Sequence, residues 1–230
     1  AADPMASLRT LREQVIACRR CSRLVAHREA VAQEPPKRFQ GQVYWARPLP
    51  GFGDPKARLL IVGLAPAAHG ANRTGRLFTG DASGEWLMEA LHAERFANQP
   101  TSTHARDGLR LRGAYITAPV RCAPPANRPT PQELEACLPF LVRELELLPE
   151  VRVVVALGKF GFDAYLRARE IADRPVPKPR PRFRHGGVTR FPDGVRLLAS
   201  YHPSQQNTFT GKLTRGMLHT IFRRARALLR

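Results

Sequence analysis

The chain has 230 residues, 43% of them hydrophobic, which suffices for one well-packed core, and it reads as a single domain over 1–230. Lys and Arg number 37 against 19 Asp and Glu, a net charge of +18; this predicts a polyanionic partner, nucleic acid first, because phosphate neutralisation drives binding whatever the sequence. No apolar run approaches a membrane span and no apolar signal segment opens the chain, which excludes membrane roles and predicts a cytoplasmic, nucleoid-associated protein.

Ala1–Pro4 precede Met5 and read as a leader ahead of the natural start, outside the fold. Leu8, Leu11, Val15 and Ile16 share one helical face, so a first helix delivers Cys18 and Cys21 at or just past its end. Residues 34–55 are rich in Pro, Gly and aromatics and predict irregular structure. Four short apolar runs follow, 57–63, 114–120, 151–158 and 195–201, each long enough for a strand and too short for a helix. Helical patterns lie between and after them, at 84–95, 131–148, 160–169 and 213–229. The fold class is therefore α/β, a three-layer sandwich with a central four-stranded parallel sheet flanked by helices. The stretch 174–187, with Pro175, Pro177, Pro179 and Pro181 among basic residues, predicts a stiff extended loop near DNA. Other basic residues, among them Arg19, Arg20, Arg23, Arg73, Arg76, Arg121, Arg128, Lys212, Arg215, Arg223 and Arg224, are spread along the chain as a groove lining would be.

Ligands of open α/β sheets sit beyond the carboxyl ends of the strands. The least ordinary text follows the four runs: Gly63-Leu-Ala-Pro-Ala-Ala-His-Gly70, Arg121-Cys-Ala-Pro-Pro-Ala-Asn-Arg128, Gly158-Lys-Phe-Gly161 and His202-Pro-Ser-Gln-Gln-Asn207. The four cysteines, Cys18, Cys21, Cys122 and Cys137, form a C-x2-C pair and a C-x14-C pair. In a cytosolic chain a shared metal site outweighs disulfides, with structural zinc and an iron–sulfur cluster left open by spacing alone.

The first of these motifs, Leu77-Phe-Thr-Gly-Asp-Ala-Ser-Gly84, the Arg121–Pro131 text and Tyr201-His-Pro-Ser-Gln-Gln-Asn207 together resemble the uracil-DNA glycosylase superfamily, most nearly its family 5 or type-B branch. The motifs span most of the chain in the family's order, with the cysteines interleaved where that family places cluster ligands. The resemblance implies a structural [4Fe-4S] cluster on Cys18, Cys21, Cys122 and Cys137, with no redox turnover and no dissociable cofactor. It also implies a monofunctional repair enzyme that hydrolyses the N-glycosidic bond of uracil in DNA, acting as a monomer on a base flipped out of the duplex.

In that reading His202 donates a hydrogen bond to the base O2 as negative charge develops there, and Phe78 stacks on the flipped base. Gly63, Leu64, Ala65 and Ala67 line the pocket, with Pro66 fixing the turn. The 205–212 segment inserts a wedge carrying Asn207, Thr208 and Phe209, and Ser204, Gln206 and Lys212 touch DNA beside it. Two departures from sister families stand out. Leu64 and Ala65 replace the usual water-positioning residue, so Asp81 is the candidate to position water, against an equal case for Asp81 as a helix N-cap. Ala118 replaces an asparagine that reads the uracil edge, which predicts broad specificity for uracil, hypoxanthine and xanthine, with Asn127 or backbone groups reading in part. The rival from another class is a non-catalytic DNA-binding module stapled by zinc, which has no use for His202, Phe78 and Asn207 at strand ends. Gly158–Gly161 lacks the spacing of a phosphate-binding loop.

Overall fold

A computed structural model describes residues 4–230, the side chains of 4–6 aside; of the four residues expected outside the fold, 1–3 lie outside the described residues and Pro4 opens the first helix. Helices α1 (Pro4–Ile16) and α2 (Ser22–Gln33) come first, then strands β1 (Phe52–Gly53) and β2 (Leu59–Val62). Helices α3 (Ala71–Thr74) and α4 (Ala82–Ala93) lead to β3 (Ala114–Thr117), and α5 (Pro131–Leu147) leads to β4 (Val153–Leu157). After α6 (Lys159–Ile171) come β5 (Val188–Arg190), β6 (Arg196–Ser200), α7 (Gln205–Phe209) and α8 (Arg215–Leu228).

The sheet runs in the order β1-β3-β2-β4-β6-β5. Its four central strands are the four apolar runs and they are parallel, with Ile61 opposite both Ile116 and Val155, and Val155 opposite Leu198. The sheet has six strands rather than the expected four, since β1 and β5 add antiparallel edges to β3 and β6. Those edges hold two and three residues, too few for any alternation to register in the sequence.

Full burial of β2, β3 and β4 follows from cover on both faces. Leu59, Ile61, Val153, Val155 and Leu198 point to one side, into a cluster with Leu87, Met88 and Leu91 of α4 and Leu218, Ile221 and Phe222 of α8. Their neighbours Leu60, Val62, Val154 and Leu197 point to the other, against Leu138 and Leu141 of α5 and Phe162, Tyr165 and Leu166 of α6. The period of two along each strand thus sorts the core into two layers. α5 starts where Thr130 and Glu133 form a reciprocal capping box with Pro131 behind them. α2 was not expected; only Leu24 and Arg28 of its residues are buried, so it carries almost no apolar stripe.

From β2 the chain moves one way to β3 and then the other way to β4 and β6. That reversal places the switch point of the sheet between β2 and β4, where open α/β folds leave a crevice beyond the strands' carboxyl ends.

Candidate active site

Gly63 ends β2 and Gly158 ends β4, so both flank the crevice. The Gly63 N–H donates to the Thr117 carbonyl at 2.9 Å, which holds the turn to β3. The Phe78 ring lies on the bare α-carbon: a methyl added at Gly63 would stand 2.8 Å from its Cε2 and 2.9 Å from its Cζ. Gly161, in the first turn of α6, packs so tightly against the Gly63 carbonyl that any side chain there would strike it. The Gly158–Gly161 motif therefore serves close packing of helix on loop. Gly158 itself has φ +92°, and its α-carbon faces the His202 Cβ, which a methyl would approach to 3.2 Å.

Phe78 has φ +51°, a conformation rare outside glycine and one that clusters at functional sites. The buried Thr79 hydroxyl pairs with Ser102 Oγ at 2.7 Å, and Thr74 Oγ1 donates to the Thr79 carbonyl at 3.0 Å, so the surrounding loop fixes that strain. The Phe78 and His202 rings have centroids 5.9 Å apart and planes inclined by 31°. His202 is partly exposed at one edge, yet burial pushes its imidazole down to about 4, so at neutral pH it is an uncharged donor. Its loop is tied from two sides, by Asn207 Nδ2 donating to the His202 carbonyl at 2.9 Å and Ser83 Oγ donating to the Pro203 carbonyl at 2.7 Å.

Asp81 caps α4, its Oδ1 accepting from the Gly84 N–H at 2.8 Å, and its Oδ2 presses on Gly70. Burial raises the carboxyl pKa. The cap reading of Asp81 therefore holds, with one oxygen engaged by the Gly84 N–H and the other turned to the first pocket motif.

Several expected residues stand elsewhere. The Ala65 side chain packs against the cluster of Leu24, Val120 and Cys122, which Cys21 also joins, so it lies on the side of the cysteines. Leu64 contributes its carbonyl, which accepts from the Val120 N–H at 3.4 Å, and the Ala67 carbonyl accepts from the Asn72 N–H at 3.1 Å. Ala118 is buried in the same cluster that Phe78 packs against. Asn127 is exposed at φ +55° in a short 3-10 turn, and no hydrogen bond or ring contact joins it to Phe78 or His202 among the described residues. Ser204 caps α7, accepting from the Asn207 N–H at 3.3 Å, and so organises the segment expected to act as a wedge. Gln206 is exposed and its carbonyl accepts from Thr210, Thr208 Oγ1 donates to the Gln205 carbonyl, and Lys212 Nζ sits 4.8 Å from the Tyr201 ring centre. Phe209 is 81% exposed at the tip.

Three arginines read as groove lining are spent inside the protein. Arg121 is buried and paired with Glu144, which also accepts from Thr117 Oγ1 at 2.6 Å. Arg76 bridges Asp107 at 2.9 Å. Arg73 donates to the carbonyls of His69 at 2.7 Å and Gly80 at 2.9 Å and to Gln42 at 2.9 Å, and stacks over Phe39. It clamps the two pocket motifs together, a role that nothing in its local sequence distinguishes from a solvated charge. The Tyr44 hydroxyl pairs with His69 Nδ1 at 2.8 Å beside it, and burial lowers the His69 pKa.

The cysteines converge behind the pocket. Cys18 follows α1, Cys21 opens α2, Cys122 follows β3 and Cys137 lies on α5; none is in a disulfide. Burial pushes the Cys122 thiol up to about 12, and it feels Cys137, Cys18 and Cys21; burial likewise pushes Cys137 up to about 11. Among the described residues no three Cys, His, Asp or Glu side chains are gathered to hold a metal ion. Four thiols brought near one another, Cys122 and Cys137 buried and Cys18 and Cys21 partly so, are a donor set that a cationic, thiolate-seeking centre would suit.

Fold and site together define an α/β protein whose crevice offers an aromatic face to a flat ring, with a neutral histidine at its edge. The Uracil DNA glycosylase superfamily model matches residues 50–226. A Type-5 uracil-DNA glycosylase of Thermus thermophilus is 53% identical over 216 residues, 94% of this chain and 95% of that protein. One of Mycobacterium tuberculosis is 52% identical over 223 residues, 96% and 82% of the two chains. A Type-4 uracil-DNA glycosylase of Archaeoglobus fulgidus is 33% identical over 157 residues, 68% and 70%. The chain belongs to the uracil-DNA glycosylase superfamily.

Proposed function

We propose that this protein is a DNA base-excision repair glycosylase that removes uracil, and with it hypoxanthine and xanthine, leaving an abasic site. The observation that carries the reading is the pairing of Phe78 with a neutral His202 over the bare α-carbon of Gly63 at the switch point of the sheet. A base extruded from the duplex stacks on Phe78, and the basic surface offsets the few kcal/mol that extrusion costs. As the glycosidic bond lengthens, charge collects on the base oxygen, and the His202 N–H donates to it. A donor of that kind is worth about 2.7–4 kcal/mol. Because its imidazole is already neutral, His202 stabilises that charge through the N–H hydrogen bond, without transferring the proton. Asp81 orients water through the oxygen its cap bond leaves over, and its raised pKa makes it a better acceptor.

Ala118 supports broad specificity: a methyl at that place makes no polar demand on the base, so no group is left unpaired when uracil is replaced. Cys18, Cys21, Cys122 and Cys137 hold a [4Fe-4S] cluster. When bound it staples the first two helices to α5 and to the loop behind Ala65.

The test is a duplex carrying one uracil opposite guanine, incubated with protein and treated with hot alkali, beside a hypoxanthine duplex and His202→Ala and Asp81→Asn variants. Strand scission at both lesions, lost on the order of 10²–10³-fold in His202→Ala, is expected. Intact strands with the parent protein would remove the reading, and scission at uracil alone would remove the Ala118 argument. Brown protein with iron in proportion to its four cysteines is expected on purification; colourless, iron-free protein would remove the cluster.

A further inference from the structure

The turn 184–187, whose His185 stacks on Tyr201, and the first turns of α8 flank an open hollow of about 500 Å³. His185, Gly186, Gly216, Thr220 and Arg224 line it beside the apolar Met217 and Ile221, with no carboxylate among the lining residues, so Arg224 and His185 are its charged and ring-donor groups. A larger hollow, about 910 Å³, lies by Asp54 and Arg112 at the amino ends of the strands, away from the pocket.

We propose that the smaller hollow seats a backbone phosphate of the DNA strand running out of the base pocket, with His185 Nε2 and the Arg224 guanidinium as its donors. The inference rests on the chain being DNA-acting, and it assigns a site outside the base pocket. Its first support is a fixed tautomer. His185 Nδ1 accepts the Tyr201 backbone N–H at 2.9 Å, so in the neutral ring Nε2 carries the proton and can only donate. The ring is locked in place by stacking on Tyr201, centroids 4.6 Å apart and planes 17° from parallel.

Arg224 supplies the charge. Its Nη1 donates to the Gly186 carbonyl at 2.7 Å, which orients the fork while leaving its other N–H groups for an anion. Gly216 leaves the wall bare on the α8 side, since the nearest atom to an added methyl is the Thr214 hydroxyl at 4.0 Å, and bare backbone admits a phosphate closely. Placement completes the case. Tyr201 joins the two sites directly: its ring stacks on His185 and also meets Lys212 Nζ, and the next residue is His202. The basic stretch from Lys178 to Arg184 runs straight into the turn, so positive charge continues along the path a strand would follow.

The experiment measures binding of an undamaged duplex, without uracil, by fluorescence anisotropy over a series of salt concentrations. Arg224→Gln is expected to bind about three- to tenfold more weakly, and its log–log salt slope to fall by about one, the change that follows when one phosphate is no longer neutralised. His185→Phe, which keeps an aromatic ring against Tyr201 and removes the donor, should weaken binding in the same direction. Arg143→Gln, an exposed arginine on α5, is the control for net charge. The proposal is overturned if Arg224→Gln keeps the parent's slope, or if Arg143→Gln weakens binding as much. Uracil excision by the parent is scored separately: excision without the slope change removes this site alone, and the slope change without excision removes the glycosylase reading alone.

Discussion

The base pocket and the cysteine centre share a wall at Ala65 and Val120, yet they are made of different material. The pocket is built from backbone: Gly63 hydrogen-bonded to β3, Gly161 pressed on the Gly63 carbonyl, Phe78 on a bare α-carbon, and Arg73 clasping two loop carbonyls. Its shape is set by the chain alone. The cysteine centre is built from side chains whose ionised form burial opposes, so the proposed cluster would have to repay that desolvation. What stiffens the ground between them is neither, but the buried Arg121–Glu144 pair, which ties the residue before Cys122 to α5 two turns beyond Cys137.

That division can be broken at its strongest point. Arg121→Met strands the Glu144 carboxylate in the core and is expected to cost about 3–5 kcal/mol, read from urea unfolding, because one charge of a buried pair is left uncompensated. Arg121→Met with Glu144→Leu should recover most of the loss. A cost below about 1 kcal/mol for the single variant would mean that the cysteine centre, not the ion pair, holds the loop after β3.

Gly161→Val tests the pocket side. The valine has no room against the Gly63 carbonyl, so α6 must shift, at about 1–3 kcal/mol of stability as overpacking costs. The same shift moves Gly63 under the Phe78 ring, so uracil excision at a temperature where the variant is fully folded should fall as well. Unchanged excision in a destabilised variant would show that the floor of the pocket is set by Phe78's own loop.

These two positions also show where the sequence was legible and where it was not. The four parallel strands were readable because both faces are buried, which writes each one as an unbroken apolar run such as Leu59–Val62. His202 and Gly63 stood out because text beyond strand ends carries function in this architecture, whereas Phe78, between α3 and α4, stood out only through the family resemblance. Gly161 and His185 meet backbone atoms of distant residues, and Arg73 bridges the carbonyls of His69 and Gly80 across an irregular loop; no periodic pattern records a partner of either kind. Charge misled for the same reason: Arg73, Arg76 and Arg121 add to the count of +18 like any others, yet each is paired with groups that a count cannot place. α2 was missed because its one large inward residue besides Leu24 is Arg28, whose guanidinium donates to the Ala46 carbonyl at 2.5 Å and so reads as surface.

The smallest effect sharpens the comparison most directly, because it asks whether the pocket is dry. His202 has its pKa near 4 in the fold against an ordinary 6.5, so between those values the unfolded chain binds a proton that the folded chain refuses. Stability therefore falls as pH drops from about 6.5 to about 4, and nothing of this contribution changes above it. Asp81 works in the opposite sense, since a carboxyl whose pKa is raised by burial favours the fold once it is protonated at low pH. Melting temperatures followed from pH 7 to pH 4 should thus fall less steeply in His202→Gln than in the parent, and more steeply in Asp81→Asn. Parallel curves for parent and His202→Gln would mean that water reaches the imidazole freely, and a histidine so solvated would lose most of its hold on the charge of a departing base.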